Sequence, residues 1–256
     1  MSATAVGTSH PARSLRLVGG VVILALLVWR FGAGPFLDGV RAARPTAIVV
    51  AVLVTAGTTW CCALRWMLVS ARWGSPVPMR VAYPAYYRSQ LINALVPGGV
   101  VGDLHRGLRH GWRAVLWERA LGQAVQLGLV GALLLPGAWR WAGLAAVVVI
   151  VAAGGLVALL SAMSTTGHLT VFLVAAASAG VDLPATSLVS VGALVVLGSA
   201  IPLNVAGWGP REGIAAWAFA AFGSTATAGL AAAVTFGVVA TLATLPGLAF
   251  LGRRGD

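Results

Sequence analysis

Apolar residues run in blocks of about twenty, separated by short stretches rich in arginine, proline and glycine. A bilayer core of about 30 Å requires a helix of about that length. Blocks at 15–34, 45–69, 81–101, 114–135, 141–162, 165–181, 184–204 and 224–250 predict about eight membrane segments, with a short helix after Pro210. The blocks lack the strict alternation of an outer-membrane barrel. The expected fold class is all-α, a polytopic helical membrane protein with two broken or re-entrant helices. It forms one domain over 1–256: a cytoplasmic tail at 1–14, a helical bundle at 15–250 and a basic tail at 251–256.

The two exceptional segments carry their own breakers. One ends in Pro97-Gly98-Gly99, and the other runs into Pro202, Gly207, Gly209 and Pro210. Proline lacks a backbone donor and clashes with the preceding turn, while glycine favours non-helical backbone. Inside hydrocarbon such backbone survives only when buried in protein or lining a wet cavity. Loops at the membrane surface are the alternative. The amide side chains favour a cavity, because the only two asparagines, Asn93 and Asn204, lie beside Pro97 and Pro202. Tyr83, Tyr86, Gln90, Asn93 and Pro97 step by three or four along one helix face, as do Arg119, Gln123 and Gln126 on the next span. Polar stripes on apolar helices point into the bundle, where they line a path or join helices by hydrogen bonds.

Composition agrees with the pattern. Hydrophobic residues make up 59% of the chain and charged residues 9%, with a mean hydropathy of +0.92. A soluble domain carries roughly a quarter charged residues. The net charge of +11 comes from 17 arginines and no lysine. Because the arginines sit at segment ends, anionic headgroups and the positive-inside rule explain them better than nucleic acid does. Clusters at Arg65, Arg72 and Arg80, at Arg106, Arg109 and Arg113, and at Arg253 and Arg254 are expected in the cytoplasm with Arg13 and Arg16. Segment 81–101 then either spans as an exception or enters and returns, and Arg41 and Arg44 oppose the assignment. Adjacent Cys61 and Cys62 read as packing residues. The apolar run after Arg16 imitates a signal peptide and reads as a first membrane helix.

Against this background the acids stand out. Of six, three lie inside or beside apolar blocks next to arginines: Asp103 with Arg106, Glu118 with Arg119, and Glu212 with Arg211. A charge at mid-membrane costs about 2.5–3.5 kcal/mol on insertion scales, which makes each a candidate for function. Asp103 fits the N-cap of a helix starting at Leu104, and Pro210 fits the first turn of a helix holding Glu212. Free amides at such helix starts, together with an arginine, form an anion site. Capping alone also accounts for both acids, but not for Glu118. His105 and His110 match no metal-ligand spacing, and His168 reads as an interfacial residue. No catalytic triad or phosphate-binding loop is present in the sequence. No catalytic residue, metal or cofactor is therefore expected.

At these residues the chain resembles the lysylphosphatidylglycerol synthase transmembrane region family of flippase-like membrane proteins. The resemblance rests on Arg65-Trp66, Asn93 through Pro97, Gly102-Asp103 with Arg106, Glu118-Arg119, Ile201-Pro202 through Gly207, Gly209, Arg211 and Glu212, and Pro246-Gly247. It implies a bundle with re-entrant pieces in a bacterial or archaeal cytoplasmic membrane. It also implies movement of a lipid, such as an aminoacylated phosphatidylglycerol, between leaflets. The soluble aminoacyl-transferase domain of the family's best-understood members has no counterpart in these 256 residues.

The expected ligand is an anionic lipid, either a phospholipid or a polyprenyl-phosphate carrier. Arg106 and Arg211 are expected on its phosphate, and Asp103, Glu118 and Glu212 on those arginines or on a cationic headgroup. Arg119 is placed at the same site, and Asn93, Asn204, Gln123 and Gln126 along the polar path. Two other classes remain open. One is a membrane enzyme of lipid or glycolipid modification with Glu118 or Asp103 as base. The other is an accessory subunit, whose partner would be a separate lipid synthase or glycosyltransferase.

Overall fold

The computed structural model describes residues 10–96, 99–134, 138–201, 203, 205 and 207–251, with the side chains of 10–17, 138–140, 150, 151 and 153 left aside. The chain is all-helical, at 85% helix with no strands among the described residues. Among the described residues ten α-helices follow in order: α1 His10–Phe31, α2 Gly34–Arg41, α3 Pro45–Arg72, α4 Met79–Leu95, α5 Val101–His110, α6 Trp112–Leu134, α7 Ala138–Ser178, α8 Ala185–Gly198, α9 Pro210–Ala221 and α10 Ala226–Thr244. A 3₁₀ turn, Leu245–Phe250, continues α10.

Three of these helical stretches are long and apolar enough to cross a bilayer: Pro45–Arg72, Gly154–Ser178 and Ala226–Phe250. A fourth is the pair Val18–Phe31 and Gly34–Arg41, if its bend of 102° is counted within one span. The outer faces carry bare apolar side chains, among them Trp29, Leu53, Leu108 and Trp141. Buried polar groups such as Arg65, Glu118, Ser161 and Thr235 lie inside. Apolar outside and polar inside is the order that a hydrocarbon solvent imposes.

Small residues set the packing, since helices in lipid associate through close contact rather than water exclusion. A Cβ on Gly229 of α10 would stand 2.4 Å from the Ala215 carbonyl oxygen of α9, and one on Gly192 of α8 would stand 2.7 Å from the Phe172 ring. Helix α10 lies at the centre and packs against α9, α2, α3 and α7. One continuous core joins Phe172, Val191, Phe219, Phe236 and Val239 from α7, α8, α9 and α10.

Two boundaries differ from the sequence expectation. The sequence blocks at 141–162 and 165–181 part between residues 162 and 165, yet α7 is broken at Gly155, with φ +52° and ψ −133°, and continues through the polar run from Ser161 to His168. That backbone is open to glycine and strained for other residues. The polar run instead continues the helix and turns its hydroxyls inward. The second difference is α2, which follows the turn at Gly32 and tucks beneath α10. There Thr235 Oγ1 donates to the Gly39 carbonyl at 2.9 Å.

Candidate functional site

Four polar faces surround one cavity of about 360 Å³. Helix α3 contributes Thr55, Thr58, Cys62 and Arg65, and α7 contributes Ser161, Ser164, Thr165 and His168. Both sets recur at helical spacing, so each helix shows the cavity a single stripe. Gln90 and Asn93 of α4 and Arg119, Gln123 and Gln126 of α6 complete the lining. Both chain breaks border the same space, the first through Gly99 and Val100 and the second through Ser199, Ala200 and Gly207. Pro97, Pro202 and Asn204 lie outside the described residues.

Behind the α4 and α6 stripes lies a charged network. Glu118 is fully buried and is paired with Arg65 Nη2 and with Arg106 Nη2, the latter at 3.1 Å. It also accepts from Arg65 Nε at 2.9 Å and from the Tyr86 hydroxyl at 3.1 Å. Asp103 accepts from Arg106 Nη2 at 3.0 Å, Ser89 Oγ at 3.2 Å and Asn93 Nδ2 at 2.6 Å, and is paired with Arg119. Isolated charges are too costly for such an interior, and each acid is held by several donors. The Arg106 guanidinium also lies over the Trp66 and Tyr86 rings, at 4.6 and 4.1 Å from their centroids. Within the network three arginines meet two carboxylates, which leaves one positive charge.

The arginines differ in access. The Arg106 side chain is 1% exposed and does not line the cavity, whereas the Arg119 side chain is 41% exposed and does. Arg65 reaches the cavity wall, donates from Nη1 to Ser161 Oγ at 2.8 Å, and lies over Gly122 of α6, where a Cβ would come within 3.0 Å. Arg65 was missed in the sequence because it ends a span beside Arg72 and Arg80 and reads as a topology marker. The stripe it completes, Thr55, Thr58, Cys62 and Arg65, was the available signal.

The second break carries a separate pair. Glu212 accepts the Gly209 amide at 2.6 Å, closing the start of α9, and accepts from Arg211 Nε at 2.8 Å and Nη2 at 2.5 Å. The Arg211 guanidinium lies 5.2 Å from the Trp208 ring and 5.4 Å from the Phe236 ring. Phe236 lines the cavity, while Arg211 and Glu212 sit behind it and do not. Gly237 makes the room, since a Cβ there would stand 2.1 Å from Arg211 Nη2.

Two local expectations are corrected. Asp103 is not an N-cap, because α5 begins at Val101 and places Asp103 in its first turn with no side-chain cap at Val100. Asn93 does that work across the break by accepting the Gly102 amide at 2.8 Å, which frees Asp103 for the arginines. The close approach of the two helices allows this, since a Cβ on Gly102 would fall 2.2 Å from the Ser89 carbonyl oxygen. His168 is not an interfacial residue either. It faces the cavity, with Nδ1 2.7 Å from the Ser164 carbonyl oxygen.

Of the ten expected site residues, Asn93, Arg119, Gln123 and Gln126 line the cavity. Asp103 and Glu118 stand one hydrogen bond behind it, Arg106 stands behind those two acids, and Arg211 and Glu212 form the remote pair. Among the described residues no group of three or more His, Cys, Asp or Glu side chains could hold a metal ion. Searches against family models, curated proteins and solved structures return no match, and the chemistry of the site stands on its own geometry.

Proposed function

We propose that this chain is a multi-pass protein of a bacterial or archaeal cytoplasmic membrane that binds an anionic lipid and moves it between leaflets. The observation that carries this reading is the single cavity bordered by both chain breaks and backed by a network with one positive charge in excess. Paired broken segments meeting at one polar site are the usual mark of a membrane transport pathway. The volume falls at the lower end of small-molecule sites, roughly 300–1,000 Å³, which suits a headgroup with its acyl chains left in the bilayer. In this reading the eight expected segments include α4 and α5 as one entering and returning hairpin, and α8 and α9 as its counterpart. Such an arrangement agrees with the resemblance to the lysylphosphatidylglycerol synthase transmembrane region family.

Arg119 meets the phosphate, and Asn93, Gln123 and Gln126 hold the rest of the headgroup. Asp103, Glu118, Arg106 and Arg65 keep Arg119 in place and set the local charge. The alternative of a membrane enzyme finds no support at Glu118, whose carboxylate is enclosed by two arginines and Tyr86. Reconstitution into vesicles tests the proposal. The chain should raise exchange of a labelled anionic phospholipid above that of empty vesicles, and Arg119→Ala should return it toward background. Wild-type protein that leaves exchange at background would sink the reading.

A further inference from the structure

We infer that the cavity is built for a phosphate ester carrying neutral hydroxyls, a polyol or sugar headgroup, and that it rejects a headgroup bearing an ammonium. This rests on the translocation reading and narrows its substrate.

The charges facing the cavity are of one sign. Among the described residues lining it there are two arginines, Arg65 and Arg119, and no carboxylate. The two acids nearby, Asp103 and Glu118, do not line it, and their oxygens are taken by arginines, Tyr86, Ser89 and Asn93. An ammonium entering this space would meet arginine and no counter-ion. A charge buried without a partner is among the costliest arrangements in a protein.

The remaining lining is neutral and rich in hydrogen-bonding groups. Thr58, Ser164, Thr165, Gln90, Asn93 and Gln123 all face the same volume. More telling are donors that lack an acceptor. Gln126 is 8% exposed, borders the cavity, and has its Nε2 buried with no hydrogen-bond partner among the described residues. The buried Nε of Arg119 is likewise without one. Buried donors are seldom left unsatisfied without a reason, and a bound ligand with acceptor oxygens supplies one. A single phosphate diester matches the one excess charge of the network, and hydroxyl groups can accept from Gln126 and donate to threonine and serine oxygens. Phosphoglycerol lipids and glycosylated polyprenyl phosphates share this chemistry.

The test uses the full chain in phosphatidylcholine vesicles with a labelled trace of one of three lipids: phosphatidylglycerol, lysylphosphatidylglycerol, or a polyprenyl phosphate monosaccharide. At least one of the two uncharged-hydroxyl headgroups should exchange about tenfold or more faster than the lysylated lipid. Which of the two does so identifies the source. Gln126→Glu places a carboxylate in the cavity and should raise exchange of the lysylated lipid while slowing the others. Gln123→Glu gives the same readout if the first variant does not fold. Lysylated lipid exchanging above background and as fast as both hydroxyl headgroups in wild-type protein overturns the inference and leaves translocation standing. Background exchange of all three lipids overturns translocation itself and the inference with it.

Discussion

The two helix starts that follow the two breaks look alike in sequence and behave differently in space. At α5 an acid and an arginine enter a shared network with Arg65, Glu118 and Arg119, one edge of which opens onto the cavity. At α9 the acid and arginine pair one to one, and Glu212 spends its second oxygen on the Gly209 amide. Trp208, Phe236 and the bare face of Gly237 then shut that arginine in. A neutral closed pair can hold a bent backbone in place, whereas a network with excess positive charge favours an anion nearby. In the proposed reading, the α5 side serves the ligand and the α9 side serves the shape of the cavity.

The largest expected effect separates the two sides by stability. Glu118→Gln leaves Arg65 and Arg106 buried around a neutral amide, and breaking such a pair costs about 3–5 kcal/mol. Thermal unfolding in detergent should show a fall well beyond that of an exposed-site substitution. An unchanged midpoint would mean that the network contributes no stability and would undo its half of the comparison.

An intermediate effect is expected at the closed pair. Gly237→Ala drives a methyl into the Arg211 guanidinium, and overpacking of this kind costs about 1–3 kcal/mol. The variant should be less stable, yet among molecules that fold the preference between lipid headgroups should match that of wild type. A changed headgroup preference would give the α9 side a role in the ligand site.

The smallest effect on stability carries the largest consequence for function. Arg119 is partly exposed to the cavity, and Asp103 keeps three other donors without it. Arg119→Ala should therefore cost only about 0–1 kcal/mol, as solvent-reached pairs do. Lipid exchange should nonetheless fall about tenfold, the factor that 1.4 kcal/mol of lost phosphate binding produces. Equal loss of exchange in Arg119→Ala and Arg119→Lys would point to the forked geometry of guanidinium rather than to charge alone.

Much of this contrast was legible in the chain, and its limits have definite causes. Glycine and proline mark both breaks because their backbone chemistry is local, and the start of α9 at Pro210 follows from the same rules. The stripes through Asn93 and through Gln123 and Gln126 could be read from helical period alone, and both face the cavity. The division of 141–181 into blocks at 141–162 and 165–181 misplaced the break, because hydroxyls in an apolar stretch fit either a surface loop or an inward stripe, and period cannot choose between them. The break at Gly155 stayed hidden in an unbroken apolar run, where nothing polar announces a positive φ.

The sequence by itself determined that the chain is helical and apolar enough for a membrane, where proline and glycine interrupt it, and that the helices carrying Asn93 and Gln123 each have a polar face. Those properties depend on neighbours within a few residues. Only the tertiary structure decided which charges meet. Arg65 and Glu118 lie 53 residues apart in the chain, and Asp103 turned from a cap into an arginine partner because Asn93 reached the Gly102 amide first. Pairing across helices depends on register and on the approach that small residues such as Gly102, Gly122 and Gly237 permit. No local rule contains that information, and for this reason the cavity-facing arginines proved to be Arg65 and Arg119, while Arg106 and Arg211 lie behind its walls.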